Sequence, residues 1–284
     1  MCRLLGYATA GTNKSLEDVL GEGIVREYLR LSLVHNDGWG AALVADSSRR
    51  AGVDDGGAAT TGSYTTLYKS TEPAYLDPAA SLLAQQGARG ALFHLRLASS
   101  NLPLIIENQQ PFSADAISFI HNGDISDDSG RNLVHDPDLP VTREQILATG
   151  GKSDSAIYFA VVLHHLSEGK TLPEAVSAAI ADLRKRYPHS SYNCMVQTEN
   201  TFIVANAAGR VETSPRIVEI YNRFGLGERS KGYRVLRYRD IDGGGVVVAS
   251  SGFPQDSRDG WRELPNNHML VASNRTGRYE VHPL

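Results

Sequence analysis

The chain has 284 residues, 41% of them hydrophobic, which is enough apolar material to bury a large core. Its formal net charge of −4 excludes the strongly basic surface that would indicate a nucleic-acid or membrane partner. Its two cysteines, Cys2 and Cys194, are too few for a disulfide framework and predict the reducing setting of the cytoplasm.

Short strands and helices alternate in the first half of the chain. "CRLLGYAT", "WGAALVAD", "GALFHLRLAS" and "AISFIHNG" are apolar runs bounded by turn residues and predict strands. "SLEDVLGEGIVREYLRL" begins with acids and carries an apolar stripe, so it predicts a helix, and "DPAASLLAQQG" predicts a short helix that ends at glycine. Two polar segments, 51–62 and 124–151, predict loops or insertions, with one helical turn near "TREQIL" in the second.

Two helices and then a series of strands are predicted in the second half. "KSDSAIYFAVVLHHL" and "TLPEAVSAAIADLRKRY" predict helices, and Thr171 and Glu174 in the second have the spacing of a capping box. Strands are predicted in "NCMVQTE", "TFIVANA", "RIVEIYN", "YRVLRYRD", "GGGVVVASS" and "HMLVASN". The chain shows no repeat of fixed period and no Pro- or Ser-rich linker, so we expect one domain over 1–284.

Cys2 allows two interpretations. It is either a small buried residue on the first strand or a nucleophile whose place near the chain start matters. If Met1 is removed, Cys2 carries both a thiol and a free α-amine. The unperturbed pKa is roughly 7.7–8.0 for the amine and roughly 8.5 for the thiol. The amine can therefore accept the thiol proton near neutral pH, so that one residue supplies nucleophile and base.

Three further stretches carry groups that complement such a nucleophile. In "FHLRLASSN", Arg96 is either half-exposed on a sheet face or a clamp for a carboxylate. In "FIHNGDI", Asn122 and Gly123 form an ordinary turn or supply two donors to an oxyanion. In "GGKSDSAIYF", Asp154 offsets a helix dipole or accepts a substrate ammonium. Together with a thiol, these groups are the ones that an α-amino acid with a γ-carbonyl requires.

The motifs resemble those of class II glutamine amidotransferases, which belong to the N-terminal nucleophile hydrolases. The resemblance makes Cys2 the nucleophile, Asn122 and Gly123 the oxyanion donors, and Asp154 the residue that binds the substrate amine. It places Arg96 on the substrate carboxylate, and the arginine motif ends at Ser99, which we also expect at the substrate. The matching segments are "HNDGWG" (35–40), "HLRLAS" (94–99), "ENQQPF" (107–112), "HNG" (121–123) and "KSDS" (152–155).

The resemblance covers nearly the whole chain and carries implications for fold and activity. The C-terminal runs "VVVASSGF" and "GWRELPNNHMLV" are similar to the end of stand-alone members, including the group related to the ergothioneine-pathway γ-glutamyl hydrolase. The implied fold is of the α+β class, a four-layer α-β-β-α sandwich of the N-terminal nucleophile hydrolase type. The implied activity is hydrolysis of a γ-glutamyl amide through a cysteine thioester, without a metal or an organic cofactor.

Three departures from the family pattern leave the substrate open. Asn36 follows His35 where many members have an arginine that supports the terminal amine, and Ser100 and Gln110 replace histidines of two motifs. Free glutamine with an ammonia-accepting partner protein is one expectation, since the chain length leaves no room for a fused acceptor domain. Cleavage of a γ-glutamyl conjugate is a second, and a non-catalytic relative that binds an amino-acid metabolite is a third.

Overall fold

The computed structural model describes residues 2–46, 62–98, 102–127, 129–134, 136–209 and 212–284. Four sequence predictions fall wholly or partly outside this description: the loop over 51–62 apart from Gly62, Ser99 of the arginine motif, the departure at Ser100, and residues 128 and 135 of the loop over 124–151.

The described strands form two antiparallel sheets. Their bounds are β1 (Arg3–Thr9), β2 (Trp39–Asp46), β3 (Ser63–Ser70), β4 (Gly90–Leu95), β5 (Phe112–Ala114), β6 (Ile117–Asn122), β7 (Asn193–Gln197), β8 (Thr201–Asn206), β9 (Leu236–Asp240), β10 (Gly245–Ser250), β11 (Arg262–Glu263), β12 (His268–Ser273) and β13 (Tyr279–Pro283). One sheet has the order β11-β9-β10-β1-β4-β2-β3 and the other β13-β12-β8-β7-β6-β5. The first strand is therefore central in its sheet, between β10 and β4.

Several of the described helices begin at residues whose side chains cap them. Their bounds are α1 (Leu16–Leu20), α2 (Glu22–Arg30), α3 (Pro78–Gln85), α4 (Arg143–Ala148), α5 (Asp154–Ser167), α6 (Leu172–Arg186) and α7 (Pro215–Arg223). The Thr171 N–H donates to Glu174 at 2.8 Å, as the capping-box spacing of α6 predicts. A second capping box, formed by Thr142 and Gln145, begins α4 inside the polar stretch 124–151. None of the described helices is both long and apolar enough to span a bilayer.

One predicted strand is wrong. The segment "RIVEIYN" lies in α7, which begins at Pro215 after Ser214. Ile217 and Tyr221 are buried and lie four residues apart, which is the spacing of one helical face rather than of a strand. The Ser-Pro pair was the helix-start signal that the strand prediction overlooked.

Three of the four clusters of buried side chains in the described part of the chain hold the sheets and the helices α1–α3, α5 and α6 together. One lies between the sheets and joins Leu4 and Leu92 of the first sheet to Ile120 and Met195 of the second. Another packs α1, α2 and α3 on the seven-stranded sheet, and a third packs α5 and α6 on the six-stranded sheet. Two antiparallel sheets with flanking helices confirm the α+β class expected from the sequence.

Candidate active site

The predicted site residues meet at the ends of four elements. Cys2 directly precedes β1, Arg96 directly follows β4, Gly123 directly follows β6, and Asp154 begins α5. These four residues line one pocket. Asn122, the last residue of β6, contacts Cys2. The structure thus brings together all the predicted site residues that it describes.

Asn122 holds the backbone of Cys2 and keeps one group free. The Cys2 backbone nitrogen donates to Asn122 Oδ1 at 3.2 Å. Asn122 Nδ2 is buried and has no hydrogen-bond partner within the described residues. An unsatisfied buried donor normally costs about 1–3 kcal/mol, so its presence beside a thiol needs an explanation. A donor in this position can stabilise an oxyanion that forms where the thiol attacks.

The Cys2 thiol is buried and acidic. Its Sγ donates to the Leu97 carbonyl at 3.9 Å. Burial raises the pKa of the thiol, but the positive amino terminus and His94 lower it more strongly, and the resulting pKa is about 5. The thiolate is therefore the favoured form at neutral pH, and the thiolate is the form that attacks electrophiles.

Arg96 supplies a buried positive charge without a counterion. The residue is 4% exposed, and burial lowers the pKa of its guanidinium. Its Nη2 donates to the Pro103 carbonyl at 3.4 Å, while Nη1 is buried and unpartnered within the described chain. The guanidinium forms no ion pair with any described carboxylate, so it can pair with the carboxylate of a ligand.

Asp154 supplies the opposite charge. Its two carboxylate oxygens accept the N–H groups of Ile125 at 2.8 Å and Ser155 at 2.9 Å. Burial raises the pKa of Asp154 to about 6, even though these hydrogen bonds and the positive amino terminus lower it. The carboxylate is thus ionised at neutral pH, and among the described residues it has no lysine or arginine partner. A substrate ammonium would complement it.

His121 fixes the strand end that carries Asn122 and Gly123. Its Nε2 lies 2.7 Å from the Ser191 carbonyl, and its Nδ1 lies 2.9 Å from Ser155 Oγ. A carbonyl only accepts, so Nε2 carries the proton and Nδ1 accepts the Ser155 hydroxyl. Burial lowers the pKa of His121 to about 4, which keeps the ring neutral. This neutral imidazole therefore ties β6 to the start of α5.

Gly123 is at a position where no side chain fits. A Cβ built on Gly123 would lie 2.0 Å from the Ser191 carbonyl oxygen and 2.6 Å from His121 Nε2. Both atoms belong to the hydrogen bond that orients His121, so neither can move without disturbing it. The glycine therefore permits the close approach of two backbone segments beside the pocket.

Of the three positions that depart from the family pattern, the structure describes Asn36 and Gln110, and these two residues lie in different surroundings. Gln110 lines the pocket, and its Oε1 accepts the His121 backbone N–H at 2.6 Å. Asn36 is exposed and so does not support Cys2 from within the core. The turn that contains Asn36 still lies near the site, because Asp37 Oδ2 accepts the Ala98 N–H at 2.8 Å.

A buried arginine beside Cys2 was not predicted from the sequence. Arg3 donates to the Ser251 carbonyl at 2.6 Å, and its guanidinium carbon lies 3.6 Å from the centre of the Tyr233 ring. These contacts anchor the first residue of β1 to the segment after β10. The signal in the sequence was a charged residue inside an apolar strand, which must find a partner when buried.

The described residues contain no group of three or more His, Cys, Asp or Glu side chains that could hold a metal ion.

The comparisons with known proteins concern the fold. Neither a family model nor a curated protein matches the chain.

Solved structures match the chain over nearly its full length. A glutamine aminotransferase class-II domain protein from Silicibacter pomeroyi aligns with a TM-score of 0.57 and 19% identity, covering 100% of this chain and 99% of that one. The glutamine phosphoribosylpyrophosphate amidotransferase of B. subtilis has a TM-score of 0.56 and 18% identity, covering 99% of this chain and 49% of that one. A predicted glutamine amidotransferase from Pseudomonas aeruginosa PA01 has a TM-score of 0.53 and 15% identity, covering 98% and 99%.

These likenesses confirm the resemblance at the level of the fold. The chain has the fold of class II glutamine amidotransferase domains, in which two antiparallel sheets are flanked by helices.

Proposed function

We propose that the protein hydrolyses γ-glutamyl amides through a thioester on Cys2. The observation that carries the proposal is the pairing of two buried, opposite, uncompensated charges with a buried acidic thiol in one pocket. Arg96 and Asp154 match the carboxylate and the ammonium of a free amino acid, and Cys2 lies in the same pocket. A purely structural role explains neither the unpaired charges nor the lowered pKa of the thiol.

Binding and attack follow from this arrangement. The guanidinium of Arg96 binds the α-carboxylate with two hydrogen bonds, and Asp154 binds the α-ammonium. The Cys2 thiolate then attacks the γ-carbonyl carbon. The negative charge that forms on the carbonyl oxygen is stabilised by Asn122 Nδ2 and the Gly123 N–H. Loss of one such donor typically lowers kcat by about 10²–10³-fold.

Proton transfer is assigned to the α-amine that Cys2 carries after Met1 is removed. The amine accepts the thiol proton and passes it to the leaving nitrogen when the tetrahedral intermediate collapses. The amine then accepts a proton from water, whose hydroxide attacks the thioester and releases glutamate. Asn122 Oδ1, which accepts from the Cys2 nitrogen at 3.2 Å, is placed to orient this amine.

The leaving amine distinguishes the remaining alternatives. Gln110 replaces a histidine of the family pattern in the pocket itself, which favours a γ-glutamyl conjugate over free glutamine. An ammonia-accepting partner protein is expected only if free glutamine is the substrate. A non-catalytic protein would bind the glutamyl group without forming a thioester.

The deciding experiment combines a substrate screen with a variant in which the α-amine of Cys2 is blocked. Glutamine and γ-glutamyl anilide are offered to the purified protein, and intact mass is used to detect loss of Met1 and a γ-glutamyl adduct. Inserting an alanine between Met1 and Cys2 turns the amine into an amide while the thiol remains. Turnover should fall by at least about 10²–10⁴-fold, the usual range of general acid–base catalysis.

Controls separate this result from misfolding. Cys2→Ala should abolish both the adduct and turnover. Cys194→Ala should retain both, because Cys194 is buried against the Tyr158 hydroxyl, outside the pocket. Full activity of an extended form whose uncleaved mass has been verified would refute the terminal-amine mechanism.

A further inference from the structure

A second buried histidine, His94, lies behind the Cys2 thiol rather than in the pocket. Side chains alternate along β4, so Leu92 and His94 face the same way, and Leu92 belongs to the cluster between the two sheets. In the register of β1 and β4, Leu4 pairs with His94. Cys2 lies two residues before Leu4, just outside β1, so it is a diagonal neighbour of His94 across the strand pair.

Both ring nitrogens of His94 lack a hydrogen-bond partner among the described residues. The residue is completely buried, and neither Nδ1 nor Nε2 has a hydrogen-bond partner of good geometry within the described residues. A neutral imidazole has one donor and one acceptor, and leaving them unsatisfied inside a protein is costly. His121 of β6, by contrast, has both of its ring nitrogens bonded. His94 therefore differs from an ordinary satisfied core histidine.

The charges around His94 favour an anion on the sulfur. Cys2 directly precedes β1, and Arg96 directly follows β4, two residues after His94. His121 lies on the α5 side of β6 and is neutral, and Asp154 begins α5. The thiol is thus the only group next to the imidazole that can become negative among these neighbours. Interaction with His94 is one of the causes that lower the pKa of Cys2.

We propose that His94 is a positioning residue that donates a ring N–H hydrogen bond to the Cys2 thiolate and keeps the nucleophile ionised and oriented. The proposal deepens the proposed function and rests on it for its catalytic meaning. No proton is transferred to or from the ring: the thiol proton goes to the α-amine, and the imidazole stabilises the sulfur that remains.

The test measures the ionisation of Cys2 directly and needs no substrate. The rate of Cys2 alkylation by iodoacetamide is followed from pH 4 to pH 10 by peptide mass mapping. His94→Leu removes the donor and should raise the midpoint of the profile by at least one pH unit. The rate at pH 4, below both midpoints, should then fall by about tenfold, because the rate follows the thiolate fraction, and the two profiles should converge at high pH.

Two comparison variants give the shift its meaning. His94→Gln keeps an N–H donor without an imidazole. Its midpoint should therefore lie between those of the wild type and His94→Leu. His165→Gln replaces a buried histidine between α5 and α6, bonded to Asp182 at 3.0 Å, and should leave the profile unchanged. An unshifted profile in folded His94→Leu would overturn the proposal.

A measurement on the unmodified chain decides the matter if His94→Leu does not fold. In protein with ¹⁵N-labelled histidine, alkylation of Cys2 should shift a ring-nitrogen resonance of His94, and an unmoved resonance would overturn the proposal. Hydrolysis is scored separately. If the alkylation profile of Cys2 depends on His94 but the protein cleaves no γ-glutamyl amide, the proposed function alone is contradicted. If the protein cleaves such an amide but His94→Leu leaves the alkylation profile unshifted, this inference alone is contradicted.

Discussion

Ionisation of Asp154 should weaken the folded state. Burial raises its pKa from 3.8 to about 6, a difference of roughly two units, and each unit corresponds to about 1.4 kcal/mol. Because the pKa of Asp154 is higher in the folded state, the protonated carboxyl stabilises the fold. This contribution is complete below the pKa of the unfolded state, about 3.9, and is lost as the pH rises through the folded-state pKa of about 6. At pH 8 the ionised side chain should therefore cost about 3 kcal/mol.

Chemical denaturation of the wild type and of Asp154→Asn at pH 4 and pH 8 measures this cost. Asparagine loses one of the two oxygens that accept the N–H groups of Ile125 and Ser155, but that loss is the same at both pH values. The unfolded carboxyl is already about half ionised at pH 4, so the difference between the two proteins should shift by about 2 kcal/mol in favour of the variant on going from pH 4 to pH 8.

A second buried carboxylate provides a control of opposite sign. Burial raises the pKa of Asp136, but the Tyr187 hydroxyl, the Asp138 N–H and Arg186 lower it further, so its net pKa is below the usual value. Asp136→Asn should accordingly lose more stability at pH 8 than at pH 4. If Asp154→Asn shows the same pH dependence as Asp136→Asn, or none, the assignment of an uncompensated charge to Asp154 is wrong.

The same ionisation should govern catalysis. In the proposed mechanism Asp154 must be charged to hold the substrate ammonium, so kcat/KM for a γ-glutamyl anilide should fall below a pKa of about 6 in the free protein. In Asp154→Asn the acid limb should move toward the pKa of the Cys2 thiol, about 5. An unchanged limb near 6 would assign that ionisation to another group.

The remaining predictions concern the substrate clamp, the backbone at the pocket and the substrate itself. Arg96→Ala should lower transition-state stabilisation by about 2–5 kcal/mol, and Arg96→Lys should not restore kcat/KM, because an ammonium lacks the planar fork. Gly123→Ala should lower kcat by about 10²–10³-fold, since its Cβ would meet the Ser191 carbonyl. Gly23→Ala in α2 is the control and should be harmless, because a Cβ there meets nothing within 4 Å. Ammonia release from free glutamine should be slower than cleavage of the anilide, because Gln110 alters the pocket; glutamine turnover of about 1–10³ per second would contradict this.

The sequence predicted the elements whose signals are local. The strand before Asn122 and the capping box at Thr171 depend on residues within a few positions of each other, and both are present as predicted. The strands β3, β5, β11 and β13, which form the edges of the two sheets, were not predicted. Two or three residues, as in β11 and β5, carry no periodicity, and β3 and β13 are largely polar and partly exposed. The helix α7 was mistaken for a strand because its apolar residues were read without the Ser-Pro pair that begins it.

The site was predictable in its residue types but not in its contacts. Motifs placed Cys2, Arg96 and Asp154 in chain order, yet nothing local states that Asn122 Oδ1 meets the Cys2 nitrogen across 120 positions. The orphaned ring of His94 is equally non-local, since it depends on the pairing of β1 with β4 and on the facing sheet. Burial and missing partners are properties of the folded chain, and these properties identify the groups that await a ligand.

The two uncompensated charges also explain how such a pocket would select its substrate. Arg96 and Asp154 are each desolvated by the fold before any ligand arrives, so the empty pocket already bears the cost of their burial. A ligand with both a free carboxylate and a free ammonium neutralises both charges at once. A ligand that lacks either group leaves one of them buried and unpaired and also removes water from it. The pocket therefore discriminates chiefly by penalising incomplete head groups.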